Sequence, residues 1–160
     1  MRHFSGWIAT ATLVWVGTMG QAADDTILTI ERPDDSGAAV EYSLAELKEM
    51  GAVTFQTTTP WTEGEQSFTG VPFATLVSGL GLADGTLLVT AVNDYAVEFP
   101  VGDALKDGPV IAYLRNGAPM SVRDKGPLWI VYPYDSKAEF RTETVYSRSV
   151  WQLDRIVVNP

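Results

Sequence analysis

Residues 116–135 read NGAPMSVRDKGPLWIVYPYD, and residues 145–158 read VYSRSVWQLDRIVV. In the first stretch, Leu128 to Tyr132 is a short apolar run rich in β-branched and aromatic residues, the pattern of a buried strand. Arg115-Asn116-Gly117 just ahead of it has turn chemistry, and Val110 to Leu114 before the turn reads as another buried strand. Ser149 to Val158 then reads as a closing strand. Working outward, Thr86 to Val92 and Ala96 to Phe99 bracket Asn93-Asp94-Tyr95, which reads as two strands around a tight turn. Thr26 to Ile30 alternates like a strand, and Pro33 to Gly37 turns the chain into Ala39 to Glu41. Ser43-Leu44-Ala45-Glu46 has capping-box spacing, with Gly51 placed to stop a short helix. Pro72 suits the first turn of a second helix, with Phe73, Leu76, Val77 and Leu80 on one face and Gly81 beyond it. Gly102 to Lys106 fits one further helical turn. The inventory is a mixed, strand-rich α+β domain with two or three short helices.

The chain has 160 residues, a formal net charge of −9, one histidine and no cysteine. Arg2 and His3 open it, Phe4 to Met19 is mostly apolar without further charge, and Gly20-Gln21-Ala22 offers small residues for cleavage. Residues 1–22 therefore read as a secretory signal peptide and residues 23–160 as a single domain. A retained anchor fits less well, because the run falls short of the ~20 apolar residues that span a bilayer. The expected location is the periplasm. Removing Arg2 with the signal takes the net charge from −9 to −10, which argues against nucleic acid or anionic lipid as partners. The exported domain would then hold neither histidine nor cysteine. That removes the usual transition-metal ligands, the thiolate nucleophile and the imidazole base together. Carboxylates, lysine and tyrosine remain for catalysis, with aromatic stacking and charged hydrogen bonds for recognition.

Residues 116–135 and 145–158 resemble the oxidoreductase molybdopterin-binding domain of the sulfite oxidase superfamily. FTGVPFATLVSGLGL at 68–82 resembles that family's helix over the cofactor, and VTAVNDYAVEFP at 89–100 resembles its hairpin. The resemblance implies a sulfite-oxidase-type molybdopterin-binding fold. In the family, redox members anchor molybdenum by a cysteine in the loop after the strand matching Ala52 to Thr57, whereas this chain carries Gln56-Thr57-Thr58-Thr59-Pro60-Trp61 there. A threonine hydroxyl is a far weaker ligand for such a site. Lys125 also replaces the histidine that often precedes the Gly126-Pro127 element. In these departures the chain resembles small, exported, cysteine-free members that look like periplasmic pterin-binding regulators. That subgroup implies a reduced pterin without molybdenum as ligand, in preference to molybdopterin, and a non-catalytic role. It also implies a partner, the periplasmic part of a membrane-bound enzyme that makes or degrades cyclic di-GMP. The alternative is an oxidoreductase of sulfite oxidase or sulfoxide reductase type that holds a molybdenum cofactor noncovalently.

A 2-amino-4-oxo pterin presents adjacent N–H donors that suit a carboxylate, each charge-assisted bond being worth about 1.5–3 kcal/mol. Asp94, Asp124, Asp135 and Glu139 are candidates for it. Asp94 and Asp135 stand out because Tyr95 and Tyr134 adjoin them in segments that match the family's cofactor-facing turns. Trp61, Tyr134 and Trp151 are candidates to stack on the ring. Trp129, inside an apolar strand, is expected to pack in the core. Arg123, Lys125, Arg141 and Arg148 crowd into one stretch of an acidic chain. Arg148 matches a family position where a basic side chain meets the cofactor, and Arg123 and Lys125 fall on the loop matching the pocket wall. Salt bridges to Asp124, Asp135, Glu139 and Glu143 explain the same cluster equally well. The polar connection Thr57 to Phe68 is long for a compact domain, a length that goes with function, and it carries Trp61.

Overall fold

The computed structural model describes residues 25–33 and 39–159. The expected signal peptide and most of the Pro33–Gly37 turn lie outside the described residues. One sheet has the order β2-β1-β10-β5-β6, built from Ala39–Ser43, Thr26–Glu31, Leu153–Asn159, Thr86–Ala91 and Ala96–Pro100. Its strands are antiparallel neighbours except β1 and β10, which run parallel and bring the two ends of the described chain side by side. The second sheet runs β3-β4-β7-β8, from Val53–Thr57, Gln66–Pro72, Val110–Arg115 and the two-residue Ala118–Pro119, and β9 (Trp129–Val131) also pairs with β7. Among the described residues four short helices, α1 (Leu44–Glu49), α2 (Phe73–Gly79), α3 (Val101–Ala104) and α4 (Glu143–Arg148), complete the strand-rich α+β architecture. Among the described residues no helix is long and apolar enough to cross a membrane.

Local chemistry explains most of these elements. Ser43 and Glu46 form the expected capping box: the Glu46 amide donates to the Ser43 hydroxyl, and the Ser43 amide donates to the Glu46 carboxylate at 2.7 Å. The α2 helix buries Phe73, Leu76 and Val77, and Phe73 meets Phe99 of β6 edge to face at 5.0 Å. Two expectations are corrected. The closing strand begins at Leu153 rather than Ser149, because Gln152 takes φ 53° and interrupts the extended backbone. The helices among the described residues number four rather than two or three, because the segment ahead of β10 forms α4, which buries none of its own residues, so no apolar stripe announces it. Its start is set by Thr142, whose hydroxyl accepts from the Val145 amide.

Leu28, Val89 and Ile156 of the first sheet meet Phe68, Ile111 and Trp129 of the second in one buried cluster. Within the second sheet, Gly70 on β4 lies where the register with β7 shifts, and a Cβ there would overlap the Ile111 carbonyl and the Ala112 backbone. A Gly70→Ala variant should lose about 2–3 kcal/mol by urea unfolding, the usual cost of forcing atoms into a packed core. Parent-like stability would contradict this contact.

Candidate ligand-binding site

The connection from β3 to β4 is held in place by its own hydroxyls and by a carboxylate far away in sequence. Thr57 is fully buried, and its hydroxyl donates to Asp135 at 3.2 Å. Thr58 donates to the same carboxylate through its amide at 2.5 Å and its hydroxyl at 2.8 Å. Those bonds, the Thr58 amide above all, hold the Asp135 carboxyl below the ordinary aspartate range, although the group is largely in solvent. Further along, Thr59 and Thr62 share a hydroxyl bond of 2.8 Å, and the Trp61 amide donates to the Thr59 hydroxyl. The loop is thereby closed on itself with Trp61 turned inward.

Trp61 sits in a nest of rings. Its indole meets Trp151 at 5.5 Å, Tyr146 at 5.6 Å, Trp129 at 5.9 Å and Tyr134 at 6.1 Å, every pair edge to face. Such geometry sets the positive edge of one ring on the negative face of another, each pair adding about 0.5–1.5 kcal/mol beyond its burial. Beneath the nest, the Tyr134 hydroxyl donates to Ser149 Oγ at 2.7 Å, and the Ser149 hydroxyl donates to the Val145 carbonyl at 2.8 Å. Burial pushes the Tyr134 phenol well above its ordinary pKa, so it stays protonated and donating. The Trp129 indole N–H donates to the Ser149 carbonyl. The floor of the nest is therefore fully hydrogen-bonded.

Beside Trp61 opens a cavity of about 270 Å³. Tyr95, Tyr146 and Trp151 complete its aromatic wall, and Asn93, Ser147 and Ser149 supply polar edges. The Tyr95 hydroxyl bridges the mouth by donating to the Ser147 carbonyl at 3.0 Å, and the Asn93 side-chain oxygen accepts from the Tyr95 amide. Behind the wall, the Lys125 ammonium lies 4.2 Å from the centre of the Trp151 ring. Partial burial, helped by nearby Arg115, lowers the Lys125 pKa, and the ring face compensates the cation.

The structure thus brings Trp61, Tyr95 and Trp151 together around one opening, with Tyr134 buried beneath Trp61, Lys125 behind Trp151 and Asp135 clamping the loop that carries Trp61. It places three other candidates elsewhere. Asp94 takes φ 63° in the turn after β5, its carboxylate 89% exposed and 3.8 Å from Arg155. Arg123 is exposed on a 3₁₀ turn. Arg148 bonds Asp103 at 3.0 Å and faces a different cavity. None of Asp94, Asp124, Asp135 and Glu139 lines the aromatic cavity, so its wall lacks the carboxylate expected to read a pyrimidine edge. Sequence reasoning missed Asn93, Tyr146 and Ser149. Asn93 was read as turn chemistry, and the other two depend on α4, whose signal is the Thr142 cap alone.

A thiolate-anchored metal does not fit this loop. The loop that follows β3 carries no thiol, and Thr57 and Thr58 at its start direct their hydroxyls at Asp135. Among the described residues no group of three or more histidine, cysteine, aspartate or glutamate side chains is placed to hold a metal ion.

Comparison with solved structures finds a sulfane dehydrogenase, SoxCD from Paracoccus pantotrophus, superposing with a TM-score of 0.60 over 85% of this chain. The two are 16% identical, and the match covers 38% of the neighbour, so the likeness establishes the fold alone. It supports the sulfite-oxidase-type fold implied by residues 116–158. No family model and no curated protein sequence matches the chain.

The Asp135 clamp makes a pH-dependent prediction. A carboxyl whose folded pKa is depressed contributes stability that is complete above its unfolded pKa of ~3.9 and is lost as pH falls through the folded value. As pH falls from ~3.9 through the folded value, Asp135→Asn should lose stability less steeply than the parent in thermal unfolding. Parallel curves would show that the clamp does not strengthen on ionisation.

Proposed function

We propose that this chain is an exported pterin-binding module that carries no molybdenum and reports ligand occupancy to a membrane-bound cyclic di-GMP enzyme. The observation that carries the proposal is the cavity beside Trp61, with four aromatic side chains on its wall, amide and hydroxyl groups at its edges and no ionised side chain lining it. Flat rings gain about 1–3 kcal/mol from each aromatic partner on which they stack. The Asn93 amide offers both a donor and an acceptor, while Ser147 and Ser149, whose protons go to the Thr144 and Val145 carbonyls, offer hydroxyl lone pairs, which suits the mixed edge of a neutral heterocycle. An uncharged wall spares the ligand the cost of burial against an unpaired charge. The ring's identity as a pterin, the periplasmic location and the cyclic di-GMP partner draw their support from the resemblance and from residues 1–22.

A molybdenum oxidoreductase is favoured by one observation, the shared fold with a sulfane dehydrogenase. The Thr57–Thr58–Asp135 clamp argues for the binding module instead, since it ties up the loop that would anchor the metal.

Tryptophan fluorescence of the purified chain titrated with a tetrahydropterin under anaerobic conditions tests the proposal. Saturable quenching is expected, with Trp61→Ala and Trp151→Ala each weakening binding at least tenfold, about 1.4 kcal/mol. Absence of saturation, or unchanged affinity in both variants, would overturn the assignment of this cavity.

A further inference from the structure

The α4 helix that lends Tyr146 and Ser147 to the aromatic cavity lends Val145 and Arg148 to a second, wider one of about 590 Å³. Tyr132 lies on its floor, 5% exposed, packed on Phe140 at 5.5 Å and Tyr134 at 6.1 Å. Unlike Tyr134, whose hydroxyl bonds Ser149, Tyr132 has no hydrogen-bond partner for its hydroxyl among the described residues. Burial raises the Tyr132 pKa, so the group is a protonated donor, and the charge of Arg148 acts on it. Arg148 is itself 17% exposed and lies over the Phe99 ring at 5.1 Å. It commits one nitrogen to Asp103, leaving further N–H donors of the guanidinium free.

The cavity also holds carboxylates, and burial decides which of them count. Asp103 gives one oxygen to Lys106 at 2.7 Å and the other to Arg148 at 3.0 Å, so its charge and both oxygens are engaged. Glu139 is 71% exposed beside Lys137, and Asp107 is exposed as well, placing both in the rim where water and salt screen them. The floor, where Tyr132 and Arg148 are little exposed, therefore offers donors, next to the apolar surfaces of Phe140 and Val145.

We propose that this second cavity binds a small organic carboxylate, with its head group on Arg148 and the Tyr132 hydroxyl and its apolar body against Phe140 and Val145. A guanidinium and a phenol match the lone pairs of a carboxylate and complete the two floor groups. This site is separate from the aromatic cavity and does not depend on the pterin reading.

Titration of the ¹⁵N-labelled chain with phenylacetate, followed by amide NMR, tests it. Saturable shifts are expected at Phe140, Val145 and Arg148 with a Kd below about 10 mM, and phenylacetamide should bind at least tenfold more weakly. Tyr132→Phe removes only the hydroxyl and should weaken phenylacetate binding at least fivefold while leaving the remaining spectrum in place. Three results would overturn the proposal: no saturation, equal binding of acid and amide, or equal binding by Tyr132→Phe. Inorganic phosphate binding as tightly as phenylacetate would likewise overturn it, since the apolar wall would then contribute nothing.

Discussion

The edge-to-face seating of Trp61 against four other rings is the constraint on which the ligand-binding account rests. An indole on a polar loop is not obliged to fold inward. Here the loop hydroxyls close on one another, and Asp135 holds the loop's first residues to the turn after β9. With the loop so fixed, Trp61 packs on Trp129 and Tyr134 below and on Tyr146 and Trp151 beside it, leaving an opening with aromatic walls. Loosening the clamp at Thr57 and Thr58 would release the indole, and the cavity would lose one wall. The bonds from Thr57 and Thr58 to Asp135 thus help shape the aromatic cavity.

The α4 helix is the second organising element. It spans less than two turns and buries nothing of its own, yet it contributes to the walls of both cavities. Its Thr142 cap starts it, and Ser149 at its end receives the Tyr134 hydroxyl while donating back to Val145. The two openings thus share one short helix, with Tyr146 and Ser147 on one wall and Val145 and Arg148 on the other.

Elements encoded by local chemistry were legible in the sequence. The Ser43–Glu46 capping box, the apolar face of α2 and the turn at Asn93-Asp94-Tyr95 each depend on residues within a few positions of one another. The aromatic candidates Trp61 and Trp151 were legible for a related reason: a large ring in a polar loop or beside a strand must find a partner. Trp129 was expected in the core and is fully buried there. Pairings across the chain were not legible. Nothing near Thr26 announces its parallel neighbour β10, and nothing near Arg148 tells that it turns to Asp103 rather than to the aromatic cavity. Carboxylate roles were the least readable, because an aspartate beside a tyrosine looks the same whether it meets a ligand, clamps a loop or sits in solvent. Asp135 proved to be the clamp, and Asp94 the solvated turn residue.

The central claim is that the aromatic cavity receives a pterin while the loop that clamps it excludes a metal anchor. The most direct measurement is to isolate the protein from its native cells and quantify molybdenum by elemental analysis alongside pterin by fluorescence after oxidative extraction. The account predicts close to one pterin per chain and no stoichiometric molybdenum. Molybdenum at one per chain, or a protein carrying neither, would contradict it.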